Sequence, residues 1–272
     1  MGSSCGIPSQ LEENKEYGEA TMMRGVLLAL QFFSVIPINK ELNMNRKSVT
    51  MMFATFPWIG GAFGLITSIV WLYLDASPLF LAFTIVLIGI VLSGGLHLDG
   101  FADTSDAFFS YRNQDKRHEI LDDPRIGAFG TMALLILIVG KIVLLAEIIT
   151  QNGMKWEWLV IIPFLARAGM VYYFLITPEA KDKGLAAFFK KRYDHRMLLT
   201  ATLISIALGL GFIGIIGEGI LFAITTLLAL FICALAYKLW TKKHFGGVTG
   251  DLSGSFVEGM EVILWLLIFV LL

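Results

Sequence analysis

The uncharged run Leu79-Phe80-Leu81-Ala82-Phe83-Thr84-Ile85-Val86-Leu87-Ile88-Gly89-Ile90-Val91-Leu92-Ser93 passes through Gly94-Gly95-Leu96-His97-Leu98 into Asp99-Gly100-Phe101-Ala102-Asp103-Thr104-Ser105-Asp106. A membrane-type segment thus runs straight into an acidic stripe. Read as a helix from Asp99, the three carboxylates fall at i, i+4 and i+7, within about 60° of arc. Side chains at that spacing lie about 5–6 Å apart. At an effective dielectric near 20, each such pair repels by roughly 3 kcal/mol. A chain that is 56% hydrophobic has little reason to keep such a stripe beside a bilayer unless something positive binds it. A hard divalent cation with oxygen ligands, Mg²⁺ for instance, is the simplest candidate.

Composition agrees with the membrane reading. The mean hydropathy of +0.74 and the 16% share of charged residues exclude an ordinary soluble domain and a nucleic-acid binder. Apolar runs near 51–74, 79–96, 129–150, 157–178, 197–216, 219–240 and 257–272 approach or exceed the ~20 residues that cross a bilayer as a helix. Residues 25–37 form a shorter apolar run that ends at Pro37. The expected fold is therefore an all-α polytopic membrane protein, with about seven transmembrane helices and a short N-terminal interfacial or re-entrant helix. Residues 1–22 are polar and read as a disordered or extraneous tail, leaving 23–272 as one integral membrane catalytic domain. Cys5 and Cys233 fit neither a disulfide framework nor a metal site.

Basic residues concentrate in alternate loops. Loops 38–50, 97–128, 179–196 and 241–256 carry them, including Arg46, Arg125, Lys181, Lys183 and Lys242, whereas the connections between carry only Lys155. The positive-inside rule places all four basic loops in the cytoplasm. With 25–37 not spanning, the N-terminus lies inside and the C-terminus outside.

Two further stretches share that face. Asp122-Asp123-Pro124-Arg125-Ile126-Gly127-Ala128-Phe129-Gly130 pairs an acid with an arginine at the start of a span. An arginine can clamp phosphate bidentately, and a helix N-terminus adds backbone donors; the alternative is a local cap and salt bridge. Gly246-Gly247-Val248-Thr249-Gly250-Asp251-Leu252-Ser253-Gly254-Ser255, followed by Glu258 and Glu261, permits close backbone approach to an anionic group. Within the spans, Lys141 and Arg167 are intramembrane charges, functional candidates by default. His97 points away from the aspartate face of an ideal helix, which favours a structural role over metal ligation.

Together these stretches resemble the cobalamin synthase family, also called adenosylcobinamide-GDP ribazoletransferases. The resemblance runs nearly end to end. It includes Phe32-Phe33-Ser34-Val35-Ile36-Pro37, Phe56-Pro57-Trp58-Ile59-Gly60-Gly61 and Lys183-Gly184-Leu185. Ala107, Pro124 and Leu252-Ser253 depart from the usual pattern. The resemblance implies a Mg²⁺-dependent phosphotransferase, of the class transferring substituted phosphate groups, in the cell (cytoplasmic) membrane with its active site facing the cytoplasm. Adenosylcobinamide-GDP and α-ribazole, or its 5′-phosphate, would give adenosylcobalamin, or its 5′-phosphate, and GMP. On this reading Asp99, Asp103 and Asp106 hold the metal and are the catalytic acids, with Asp106 the expected base for the ribazole hydroxyl. Arg125, Asp123, Arg167, Lys141, Asp251, Glu258 and Gly250 are the expected substrate and phosphate contacts. The implied partners are the corrinoid and ribazole substrates and the lipid bilayer, with a homo-oligomer or other nucleotide-loop enzymes as further candidates. The Asp-Gly-x-x-Ala-Asp run is also similar to the signature of membrane CDP-alcohol phosphotransferases, a likeness of reaction and not of fold. A corrinoid or cation transporter is the alternative from another class; its acids would be expected nearer the bilayer midplane.

Overall fold

A computed structural model describes residues 21–215 and 219–271. Helix α1 covers Thr21–Phe33. It is followed by α2 (Arg46–Tyr73), α3 (Pro78–Ser93), α4 (Leu96–Phe109), α5 (Gln114–Leu121) and α6 (Ala128–Thr150). Then come α7 (Trp156–Ile176), α8 (Leu185–Lys190), α9 (His195–Ile215), α10 (Gly219–Phe245) and α11 (Gly250–Leu271). Six of these are long and apolar enough to cross a membrane, and the bent pair α3–α4 brings the number to seven. The chain is an all-α polytopic membrane protein. The tail assigned to 1–22 falls almost wholly outside the described residues, but Thr21 and Met22 already belong to α1, with Thr21 buried. At thirteen residues α1 reaches about 20 Å, short of a hydrocarbon core about 30 Å thick.

Among the expected boundaries that move, two bear on the site. The span over 79–96 ends as a helix at Ser93, because Gly94 and Gly95 both take left-handed φ values, 63° and 73°. Such values are easy only for glycine. Here the chain bends by 92°, and α4 leaves at right angles to α3. The span over 257–272 begins earlier, at Gly250, so the small residues 250–255 are helix rather than loop.

Helix α7 is the hub. Helix α2 lies against it through Gly60 and Gly64: a methyl group at either would sit 2.4 Å from the Pro163 carbonyl oxygen or 2.1 Å from that of Leu159. Small residues four apart let helix backbones touch where water-driven association is absent. Around α7 the buried side chains form one continuous apolar core, with Phe53, Phe56, Leu165, Tyr173, Val257 and Met260 among its members.

The four basic loops gather at one end of the bundle. Arg46 pairs with Asp194 at 3.1 Å and Lys181 with Asp122 at 2.7 Å. Arg117 meets the His244 imidazole at 3.0 Å. Backbone bonds from Val248 N to Pro178 O (2.8 Å) and from Ala180 N to Val248 O (3.1 Å) stitch the third loop to the fourth. Ala107, a departure from the family pattern, is fully buried with Leu121, Phe245 and Leu252 beneath these loops.

Candidate active site

Helix α4 lies across the start of α11 at this end. Gly100 sits directly on the Asp251 backbone, where an added methyl would stand 2.7 Å from the Asp251 carbonyl oxygen. Gly254 makes the reciprocal approach to His97, with 3.2 Å from a hypothetical methyl to the His97 Cα. These two glycines bring Asp99 and Asp103 of α4 beside Asp251 of α11. The sequence expects the 97–128 and 246–258 stretches to share a site, and the two do meet.

Among the described residues, no lysine or arginine pairs with Asp99, Asp103 or Asp251. Asp103 is partly buried and stands in the field of the Asp99, Asp251 and Asp106 carboxylates. Repulsion of this kind is relieved by a cation.

Asp106 has a different task. Its Oδ2 accepts the Gly127 N–H at 2.7 Å and its Oδ1 the Gly130 N–H at 2.9 Å. The first turn of a helix leaves donors without intrahelical partners, and the positive end of the helix dipole favours a carboxylate there. Asp106 therefore caps α6 from α4. The glycines of Gly127-Ala128-Phe129-Gly130 make room for it, since a methyl at either would fall within 2.4 Å of a carboxylate oxygen. Each Asp106 oxygen, expected as a metal ligand and proton acceptor, thus carries one backbone N–H of α6, and the carboxylate anchors α6 to α4.

The intramembrane charges pair with acids of α11. Lys141 Nζ donates to Glu258 Oε2 at 2.5 Å and to Glu261 Oε2 at 2.8 Å, and Arg167 Nη1 donates to Glu261 Oε1 at 3.0 Å. Two cations and two anions close a neutral cluster among α6, α7 and α11, the side chains 5–17% exposed. Lys141, Arg167 and Glu258, expected as substrate contacts, thus tie three helices together through Glu261 and through each other. Asp123 and Arg125 form the alternative local clasp: Arg125 Nε and Nη2 donate to the two Asp123 oxygens at 2.9 and 2.7 Å. The Arg125 side chain is 86% exposed. Its hydrogen bonds hold the Asp123 carboxyl down at about 2.

Two cavities flank the acids. One, of about 330 Å³, is bordered by Asp122, Lys181 and Lys183 and by Thr249, Gly250 and Asp251. The other, of about 170 Å³, reaches Asp99 and shares Leu185, Ala186, Gly250 and Asp251 with the first, while its deeper wall is mostly phenylalanine. Gly250 is open to both sides, with no atom within 4 Å of an added methyl. Lys181 and Lys183, which the sequence marks mainly as topology signals, thus border a cavity whose rim includes Asp251.

Among the described residues, no three His, Cys, Asp or Glu side chains converge closely enough to enclose one ion. The donor chemistry nevertheless fits Mg²⁺. That ion is commonly bound through one or two carboxylates, with water and substrate phosphate oxygens completing its shell. Asp99 and Asp103, carboxylates one helical turn apart with no lysine or arginine paired to them, are the residues that would hold it.

The family described as Cobalamin-5-phosphate synthase matches residues 25–269. An adenosylcobinamide-GDP ribazoletransferase of Geobacillus sp. (strain WCH70) is 35% identical over 256 residues, covering 91% of this chain and 95% of that protein. The protein of the same name from Geobacillus thermodenitrificans is 36% identical, covering 90% and 94%. That from Clostridioides difficile is 30% identical, covering 92% and 98%. No solved structure matches.

Proposed function

The chain belongs to the Cobalamin-5-phosphate synthase family, and on that premise we propose that it is an adenosylcobinamide-GDP ribazoletransferase of the cytoplasmic membrane, working with Mg²⁺ on the cytoplasmic side. The observation that carries this reading is the uncompensated trio Asp99, Asp103 and Asp251, of which Asp251 borders both a lysine-bordered cavity and an aromatic one and Asp99 borders the second. A diphosphate needs cations around it, and an acceptor hydroxyl needs a carboxylate; both needs are met on the two sides of Asp251.

Lys181 and Lys183 attract the GDP diphosphate into the larger cavity. Asp99 and Asp103 would hold a Mg²⁺ ion, which when bound would supply charge neutralisation for the diphosphate. Asp251 accepts the proton of an acceptor ribose hydroxyl as that oxygen bonds to the phosphorus attached to cobinamide. The bond from this phosphorus to the bridging oxygen breaks, and that oxygen leaves with GMP. Asp106 takes no proton: it fixes α6 against α4 and so sets the depth of Asp103. The gathering of four basic loops at this end supports the cytoplasmic orientation.

The test is turnover by the purified protein in detergent with adenosylcobinamide-GDP, α-ribazole and Mg²⁺. Stoichiometric GMP and adenosylcobalamin, both stopped by chelation, are expected. CMP release from a CDP-alcohol donor would instead place the chain with lipid phosphotransferases. Metal-dependent corrinoid binding without any turnover would favour the transporter.

A further inference from the structure

His97 is 3% exposed, and neither of its ring nitrogens has a hydrogen-bond partner among the described residues. A buried imidazole carries one donor and one acceptor, and leaving either unmet costs free energy. Its ring stands edge-on to Phe56, the centroids 5.6 Å apart, and it lines the 170 Å³ cavity between Asp99 and the phenylalanine wall. Phe53 and Phe174 stack in that wall at 5.0 Å, and Phe189 meets Phe53 and Phe32 edge-on at 5.4 and 5.5 Å. The cavity is therefore a ring-lined slot with one unsatisfied imidazole, opening onto the carboxylates that would meet an acceptor hydroxyl.

We propose that this slot binds the aromatic base of the ribazole acceptor, with the His97 N–H donating to the free ring nitrogen of the base. The inference rests on the transferase reading and adds the acceptor subsite to it. Benzimidazole is flat and bicyclic, with apolar edges and a single nitrogen acceptor once the other nitrogen carries ribose. Those edges match phenylalanine faces, and the one acceptor matches the one imidazole. Guanine, the competing flat base of the donor, would place several polar atoms against the same phenylalanines, at a desolvation cost. A corrin ring is far too large for the space. With the base in the slot, the ribose lies toward Asp99 and Asp251, and the donor diphosphate occupies the lysine-bordered cavity across Gly250. Helix α1 acquires a function here, because Phe32 and Phe33 close one side of the slot.

Equilibrium binding of labelled α-ribazole to the detergent-solubilised protein tests this without turnover. The comparison ligands are the indole riboside, in which the free ring nitrogen is replaced by CH, and GMP. Wild type is expected to prefer α-ribazole to the indole analogue about tenfold. His97→Leu should weaken α-ribazole binding about tenfold and erase that preference, His97→Gln should restore part of both, and GMP binding should change less than twofold. Phe32→Leu, on the rim of a short helix, should weaken both ring ligands severalfold while keeping the preference. The proposal is overturned if the preference survives in a monodisperse His97→Leu protein. It is equally overturned if the variants lose GMP binding instead, which would assign the slot to guanine. Should His97→Leu not fold, unchanged ribazole binding by Phe32→Leu overturns it as well. Ribazole binding that depends on His97, in a protein releasing no GMP from adenosylcobinamide-GDP, would retain the slot and reject the transferase.

Discussion

Two groups of charges lie close along α11 and behave oppositely. Around Glu258 and Glu261, two acids meet Lys141 and Arg167 in a neutral cluster enclosed by α6, α7 and α11. Two to three turns nearer the start of that helix, Asp251 stands beside the acids Asp99 and Asp103, and no lysine or arginine pairs with it among the described residues. The first cluster satisfies itself and joins helices; the second is left for something else to satisfy. In an apolar chain a charged residue is thus classified by whether the protein supplies its counter-charge, more than by its depth.

The sharpest way to break that contrast is Glu261→Leu. It strips Arg167 and half of Lys141 of their partner, and removing one member of a buried pair costs about 3–5 kcal/mol. Thermal unfolding in detergent should show a large loss of stability, and a loss below about 1 kcal/mol would mean that the cluster does not hold the helices together. Asp103→Asn should do the reverse. Turnover should fall about 100- to 1,000-fold, roughly 3–4 kcal/mol in barrier, while the melting temperature of the metal-free protein holds or rises because a repulsion is gone. Wild-type turnover by that variant would remove the acids from the reaction.

Asp106→Ala tests the boundary between the two behaviours. Loss of a helix cap costs about 1–2 kcal/mol, and turnover should fall with it as α6 loosens from α4. The discriminating readout is the pH profile of kcat. A positioning role leaves its acid limb in place, whereas a shifted or missing limb would return Asp106 to proton transfer. Removing both members of one contact, as in Lys141→Met with Glu258→Leu, should cost far less than Glu261→Leu alone, because no buried charge is orphaned. Arg125→Ala should matter least: an exposed ion pair contributes about 1 kcal/mol or less, and turnover should stay within about threefold. A hundredfold loss would show that the guanidinium leaves Asp123 to bind phosphate.

Much of the architecture is legible in the sequence because a bilayer imposes length and polarity on every span, and loop charge imposes direction. Residues 250–255 escape that logic. Glycine and serine favour loops by propensity, yet Gly254 is needed in a helix so that α4 can lie against it, and packing overrides the preference. The partner of Lys141 escapes for another reason. Glu147 is its neighbour in sequence, but the carboxylates that meet it lie 117 and 120 residues away on α11. Asp99 and Asp103 are visible as a stripe, and an ideal helix puts Asp106 with them. Only the Gly127–Gly130 turn, coming from a separate helix, assigns Asp106 to a cap. The aromatic slot is less legible still, since its walls come from α1, α2, α4, α7, α8 and α11 and no local pattern joins them.

The right-angled bend at Gly94-Gly95 bears on how this chain tolerates changes in length. Each residue advances a helix by about 100°, so one residue inserted between Gly95 and Asp99 would rotate the whole of α4 about its axis. Asp99 and Asp103 would swing away from Asp251, Asp106 would miss the first turn of α6, and Gly100 would no longer face α11. An insertion in the loop at 74–77, before α3, disturbs none of these registers. From Gly94 to Asp106 the spacing itself is under constraint, and a deletion series across the two segments would display it as a step rather than a slope.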